Sequence, residues 1–191
     1  LSPVYVLADM RVAQGRLSDA DRAYRDALEG AGDGSDDGGG PPPLAAANLW
    51  LGRSAIARER GETAVADELL ARSERLGQRA TESDAEHRWP RARARRAEDV
   101  GDLAAAVREL DAAEQAWHPT PIPDVRPIAA QRALIHLRQG RSDLAERWAT
   151  SRGLTPDRDA DYLSEYELAL LARMALARFR RDGDANDLAE A

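Results

Sequence analysis

The feature that most constrains this chain is a recurring glycine that ends one apolar stretch, followed by an alanine that begins the next. The glycines are separated by 46, 40, 39 and 43 residues, and the first four are each followed by an alanine five positions later. The glycines are Gly15, Gly61, Gly101, Gly140 and Gly183, and the alanines are Ala20, Ala66, Ala106 and Ala145. Each interval has the length of a helical hairpin, which buries its apolar face only by stacking on further copies. The sequence therefore predicts an all-α solenoid of about five antiparallel helical hairpins, in a single repeat domain over residues 1–191.

The apolar spacing within each interval places the helices. The predicted helices cover residues 4–14 and 18–29, 44–60 and 63–76, 83–99 and 103–117, 128–139 and 143–151, and 160–181. Ser18 is placed to cap the second helix, and Trp117 is in phase with a buried apolar stripe. Pro90 would cost about 3 kcal/mol or more inside a helix, so its helix either begins near Trp89 or kinks there.

Two segments are predicted to lie outside the hairpins. Residues 30–43 contain six glycines, three aspartates and three prolines, with almost nothing apolar to bury, which predicts a flexible loop. Residues 118–127 contain four prolines, which predicts an extended connection.

Composition argues against an enzyme. The chain has no cysteine, and all 27 of its basic residues are arginine, so thiolate and lysine chemistry are excluded within it. The three histidines stand 31 and 18 residues apart without a metal-binding spacing, and we expect neither a metal nor a cofactor. A net charge of −7 disfavours nucleic-acid binding by the surface as a whole. No apolar run approaches the ~20 residues of a membrane span, and we expect a cytoplasmic piece of a longer protein that binds no membrane.

The strongest local signal is an arginine-rich run over residues 88–96. Arg88, Arg91 and Arg95 are spaced i, i+3 and i+7, so they share one face of a helix. Such a stripe could hold carboxylates, phosphates or an acidic peptide, with Trp89 as an exposed aromatic platform. The alternative is a solvated surface on which the arginines pair with nearby carboxylates, namely Glu82, Asp84 and Glu86.

The repeated glycine–alanine pattern resembles the tetratricopeptide repeat, although its period exceeds the ~34 residues of that repeat. Residues 145–149, 153–157 and 162–173 are further similar to the sensor region of MalT-like, LuxR-family ATP-dependent transcriptional regulators. That resemblance implies a noncatalytic sensor whose groove takes a small-molecule inducer or a regulatory protein, with self-association as a further property. The resemblance also implies that ATP and DNA bind to other domains of the parent protein. The alternative is a generic tetratricopeptide scaffold that binds peptides or proteins.

The resemblance also implies where a ligand would bind. In tetratricopeptide-like arrays the first helix of each hairpin lines the concave surface. Counting back from each glycine places a set of candidate binding residues on that surface. They are Tyr5, Asp9, Asn48, Leu51, Arg88, Trp89, Arg91 and Arg95.

Overall fold

A computed structural model describes residues 3–30, 43–77, 86–118 and 124–183, and every regular element in these ranges is an α-helix. The helices are α1 (Pro3–Ala13), α2 (Leu17–Gly30), α3 (Pro43–Glu59), α4 (Thr63–Gly77), α5 (Arg88–Asp99), α6 (Leu103–Gln115), α7 (Ile128–Arg138), α8 (Ser142–Ser151) and α9 (Glu165–Asp182). The first eight form four successive helix pairs, and α9 packs against α7 and α8. The prediction of an all-α fold built from helical hairpins is confirmed.

The predicted glycines end the first helix of each hairpin in a left-handed backbone conformation. Their φ angles lie between +73° and +79°, a region that residues with a Cβ atom enter only at a cost. In the first hairpin the amide of Arg16 donates to the carbonyl of Arg11 at 2.8 Å, which closes the helix end. The same bond to the carbonyl five residues earlier recurs after Gly61, Gly101 and Gly140. The repeat seen in the sequence is therefore a repeat of one helix-ending turn.

The alanines that follow the glycines are the points of closest packing. All four of them are 0% exposed, which a larger side chain would not allow at the same spacing between helices. They are Ala20, Ala66, Ala106 and Ala145.

The chain divides into two compact units, unit 1 (Leu1–Ala85) and unit 2 (Glu86–Ala191). In unit 1, α3 packs against α1, α2 and α4, and the core gathers around Tyr24, Leu49 and Ile56. In unit 2, α5 packs on α6, α6 on α7 and α7 on α8, and both α7 and α8 contact α9. Its core contains Leu110 and Leu170. The prediction that residues 1–191 form one continuous domain stays a prediction.

Several predicted boundaries differ from the observed ones. The helix α5 begins at Arg88 rather than residue 83, so Pro90 lies in its first turn, where the missing N–H has no intrahelical acceptor to lose. The helix α9 begins at Glu165 rather than residue 160, because a turn precedes it in which Asp161 accepts the amide of Ser164 at 2.7 Å. The prediction that Ser18 caps α2 is wrong, since α2 begins at Leu17 and includes Ser18 in its first turn.

The two predicted irregular segments are described only in part. Of the glycine-rich segment, Gly30 is the last residue of α2 and Pro43 the first of α3, and the residues between them lie outside the described part. Residues 124–127 are non-helical, as predicted, while residues 119–123 also lie outside the description. No helix in the described ranges is both long and apolar enough to cross a membrane.

Candidate functional site

The predicted arginine stripe lies on α5, the first helix of unit 2. Arg88, Trp89 and Arg91 are partly buried, and Arg95 is exposed. Because α5 begins at Arg88, all four residues belong to one uninterrupted helix, and the three arginines keep the common face that their spacing predicts. The structure thus brings together half of the predicted binding residues.

Arg91 is held in place by the segment that precedes α7. Its Nη1 and Nη2 atoms each lie 3.4 Å from a carboxylate oxygen of Asp124, and Nη2 donates to the carbonyl of Arg126 at 2.8 Å. The Arg91 side chain is 24% exposed, so the guanidinium is oriented while part of it still faces solvent. The acidic partner seen for Arg91 is therefore Asp124, on a different segment from the Glu82, Asp84 and Glu86 of the alternative interpretation. Glu82 and Asp84 lie outside the described residues.

Glu98 lies three residues after Arg95, on the same face of α5 as the three arginines. Its carboxylate accepts a bond from Nη1 of Arg138, at the end of α7, at 2.9 Å. Burial raises the pKa of Glu98, while the charges of Arg95 and Arg138 lower it in part. Glu98 therefore links α5 to α7 through a partly desolvated ion pair.

Tyr166, in the first turn of α9, lies beside the same charges. Burial raises the pKa of its phenol, and the charge of Glu98 adds to that effect, whereas Arg126 and Arg95 oppose it. Tyr166 also packs against the apolar core of unit 2. Three helices of unit 2, α5, α7 and α9, therefore contribute to one charged surface. We call Arg88, Arg91, Arg95, Glu98, Arg126, Arg138 and Tyr166 the unit 2 arginine face.

His87 stands at the N-terminal end of this surface. Burial, together with the charges of Arg91 and Arg88, lowers its pKa from 6.5 to about 4. Its Nδ1 atom is buried and has no hydrogen-bond partner. His87 is therefore neutral at physiological pH and adds no positive charge to the face.

The remaining predicted binding residues belong to unit 1. Asn48 and Leu51 are only 8% and 5% exposed, because α3 is covered on several sides by α1, α2 and α4. Asp9 accepts a hydrogen bond from the hydroxyl of the fully buried Tyr24. The side chain of Tyr5 is not described. Asn48 and Leu51 are therefore buried, and the prediction that they bind a ligand stays a prediction.

The tryptophans also differ from the sequence prediction. Trp117 was predicted to be core, but α6 ends at Gln115 and its side chain is 38% exposed. Trp89, predicted to be an exposed aromatic platform, is partly buried. Trp50 is 8% exposed and lies under two guanidinium groups, with the Cζ atoms of Arg72 and Arg53 at 4.0 and 5.1 Å from its ring centre.

Glu98, Asp124 and Arg138 were not predicted from the sequence to belong to this surface. Glu98 extends the i, i+3, i+7 spacing of the arginines and could have been found by continuing that pattern. Asp124 and Arg138 lie 33 and 40 residues from their partners, and no local signal marks them. Among the described residues no cluster of His, Cys, Asp or Glu is suited to hold a metal ion.

Helical hairpins closed by left-handed glycines and packed through buried alanines define a tetratricopeptide-like helical repeat protein. The model of one protein family, described as the MalT-like TPR region, matches residues 1–191, and the chain belongs to this family. No curated protein and no solved structure matches the chain.

Proposed function

We propose that this chain is the noncatalytic sensor domain of a MalT-like, LuxR-family transcriptional regulator and that it binds an inducer or a regulatory protein. The observation that carries the proposal is the family match over residues 1–191. The hairpin architecture supports it, because helical repeats present extended surfaces for binding rather than preorganised catalytic groups.

The unit 2 arginine face is the binding surface that we propose. Arginine recognises carboxylates and phosphates through paired N–H donors, and it does so best when its guanidinium is already oriented. Arg91 meets that condition through Asp124, and Arg138 meets it through Glu98. The ligand class is therefore an anionic small molecule or an acidic protein segment.

Signalling requires that the ligand bind two states of the parent protein with different affinities. In this proposal ligand binding biases a neighbouring nucleotide switch toward self-association and DNA binding. ATP and DNA contact other domains of the parent protein, which acts in the cytoplasm.

The first experiment is to sequence the coding region on both sides of this chain. A GxxxxGK[ST] segment upstream and a helix-turn-helix downstream support the regulator proposal. If neither is present, the regulator proposal fails and a peptide-binding scaffold takes its place.

The second experiment tests the surface in the parent regulator. Arg95→Gln removes an exposed charge from the arginine face, and Arg141→Gln removes one from the exposed turn between α7 and α8. We expect the first variant to shift the inducer response of a transcriptional reporter and the second to leave it unchanged. Equal responses from both variants would remove the arginine face from the proposal.

The generic scaffold remains the second candidate, because the arginine face spans three helices and suits an extended acidic peptide. Fluorescence polarisation with a labelled oligoglutamate peptide tests this second candidate. A scaffold of this kind binds the peptide with an affinity that falls as salt rises and that is weakened by Arg95→Gln.

A further inference from the structure

A second group of arginines lies in unit 1, around the carboxylate of Asp21. Asp21 is in α2 and is only 6% exposed. Arg25, one turn later, donates to its Oδ2 atom, Arg53 of α3 donates from Nε at 3.2 Å, and Arg60 of the α3–α4 turn donates from Nη1 at 3.3 Å. Three guanidinium groups from three segments therefore converge on one carboxylate, and we call these four residues the Asp21 cluster.

The cluster carries an excess of positive charge. Burial raises the pKa of Asp21, but the charges and hydrogen bonds of Arg25 and Arg53 outweigh it, so the carboxylate is ionised at neutral pH. In the described part of the chain, Asp21 is the one carboxylate that bonds any of the three arginines. Three cations and one anion leave two positive charges in a small volume.

Most of the donors in the cluster are not used by Asp21. Each guanidinium has three nitrogens, and each arginine bonds Asp21 through a single one of them. The side chains of Arg25, Arg53 and Arg60 are 54%, 21% and 30% exposed, so all three can be reached from solvent. Arg53 is also held over the ring of the buried Trp50, which limits its freedom.

We propose that the Asp21 cluster binds a phosphoryl dianion, either as inorganic phosphate or as a phosphate monoester. A dianion matches the two unbalanced charges, which a carboxylate or a phosphodiester would neutralise only by half. Its oxygens can accept from several guanidinium groups at once, the geometry for which arginine is suited. This site goes beyond the proposed function, because it involves unit 1 alone and does not require the arginine face.

The test is thermal unfolding of the whole chain while phosphate is titrated at constant ionic strength. Binding to the folded state raises Tm in a saturable manner. We expect inorganic phosphate and phenyl phosphate to raise Tm and dimethyl phosphate, a singly charged diester, to have little effect. A response to phenyl phosphate without one to inorganic phosphate would assign the site to monoesters, and the reverse result would assign it to free phosphate. Absence of any phosphate-dependent shift would overturn the proposal.

Matched variants then locate the site. Arg25→Gln removes the most exposed donor of the cluster, and we expect phosphate to bind about tenfold more weakly, the effect of losing one charge-assisted hydrogen bond. Arg75→Gln removes the same charge from an exposed position of α4 and should leave binding unchanged. Equal weakening by both variants would show a general charge effect and would overturn the site.

A third variant distinguishes a binding site from a purely structural ion cluster. Asp21→Asn removes the competing carboxylate, so we expect phosphate to bind more tightly and to raise the Tm of this variant more than that of the wild type. A structural cluster predicts a lower Tm that phosphate does not restore. If Asp21→Asn does not fold even with phosphate, the comparison of Arg25→Gln with Arg75→Gln decides.

Discussion

Gly52, in the middle of α3, is the position where a single added carbon has the largest calculable effect. A Cβ atom at this position would lie 2.5 Å from the hydroxyl oxygen of Tyr24 and 2.8 Å from its Cε1 atom, both well inside ordinary contact. Tyr24 is 0% exposed and its hydroxyl donates to Asp9, so the ring cannot move without losing this bond. The tight contact between α2 and α3 therefore depends on the absence of a side chain at Gly52.

The change in stability caused by Gly52→Ala combines one stabilising effect with two destabilising ones. Alanine favours a helix interior by about 1 kcal/mol over glycine. Overpacking of a filled core costs about 1–3 kcal/mol, and losing a hydrogen bond to a charged acceptor costs about 1.5–3 kcal/mol. We therefore expect a net loss of about 1.5–5 kcal/mol in the free energy of unfolding, opposite in sign to the helix propensity.

The assay is urea unfolding followed by far-UV circular dichroism, with hydrogen exchange to assign the effect to unit 1. Gly30→Ala is the matched control, because Gly30 ends α2 with nothing within 4 Å of an added Cβ. We expect this control to be neutral or to stabilise by up to about 1 kcal/mol.

A double variant tests the cause. Tyr24→Leu removes the ring atoms that the new Cβ would meet, so its cost and that of Gly52→Ala should add to more than the cost of the double variant. Strict additivity, or an increase in stability with Gly52→Ala alone, would refute the packing argument.

Three further predictions concern a buried histidine, a helix cap and a buried ion pair. Folding lowers the pKa of His87 from 6.5 to about 4, so the unfolded chain binds a proton at this residue at a higher pH than the folded chain does. The free energy of unfolding therefore decreases as pH falls from 6.5 toward 4. His87→Gln should remove that part of the pH dependence of urea unfolding, and an unchanged slope would contradict the assignment. Asp102→Ala should cost about 1 kcal/mol in chemical unfolding, because its side chain accepts an amide at 2.8 Å at the start of α6, whereas Ser18→Ala should change stability by less than about 0.5 kcal/mol. Glu167 is 3% exposed and accepts two bonds from Arg152 at 3.1 and 3.2 Å. Arg152→Gln should therefore lower the free energy of unfolding by about 1 kcal/mol more than Glu167→Gln does, and the opposite order in urea unfolding would disprove the argument.

Much of the candidate site in unit 2 could be predicted from residue spacing, because it lies on one helix. Arg88, Arg91 and Arg95 share a face as soon as α5 forms, whatever packs around it. Their acidic partner could not be predicted, since Asp124 reaches Arg91 only after a chain reversal across α6. Nothing in the local sequence distinguishes Asp124 from the nearer carboxylates that it replaces as the partner of Arg91.

The burial of Asn48 and Leu51 could not be predicted from spacing. Counting back from Gly61 assigns a position along α3 correctly, but it does not determine how many neighbours cover that position. Exposure depends on the helices packed around α3, and those helices are brought together by residues distant in the sequence. Trp117 differs for a related reason, because the end of α6 at Gln115 removes it from the helical register that the apolar spacing assumed.

The sequence by itself determined the helices and the turns between them. Each depends on properties of a few adjacent residues, such as a glycine that tolerates φ near +75° at Gly140 and an alanine small enough for close packing at Ala145. Only the tertiary structure decided which charges meet. Asp21 and Arg25 are neighbours on one helix, but Arg53 and Arg60 reach the same carboxylate from 32 and 39 residues away. Such contacts depend on the stacking of hairpins, and no local pattern encodes them.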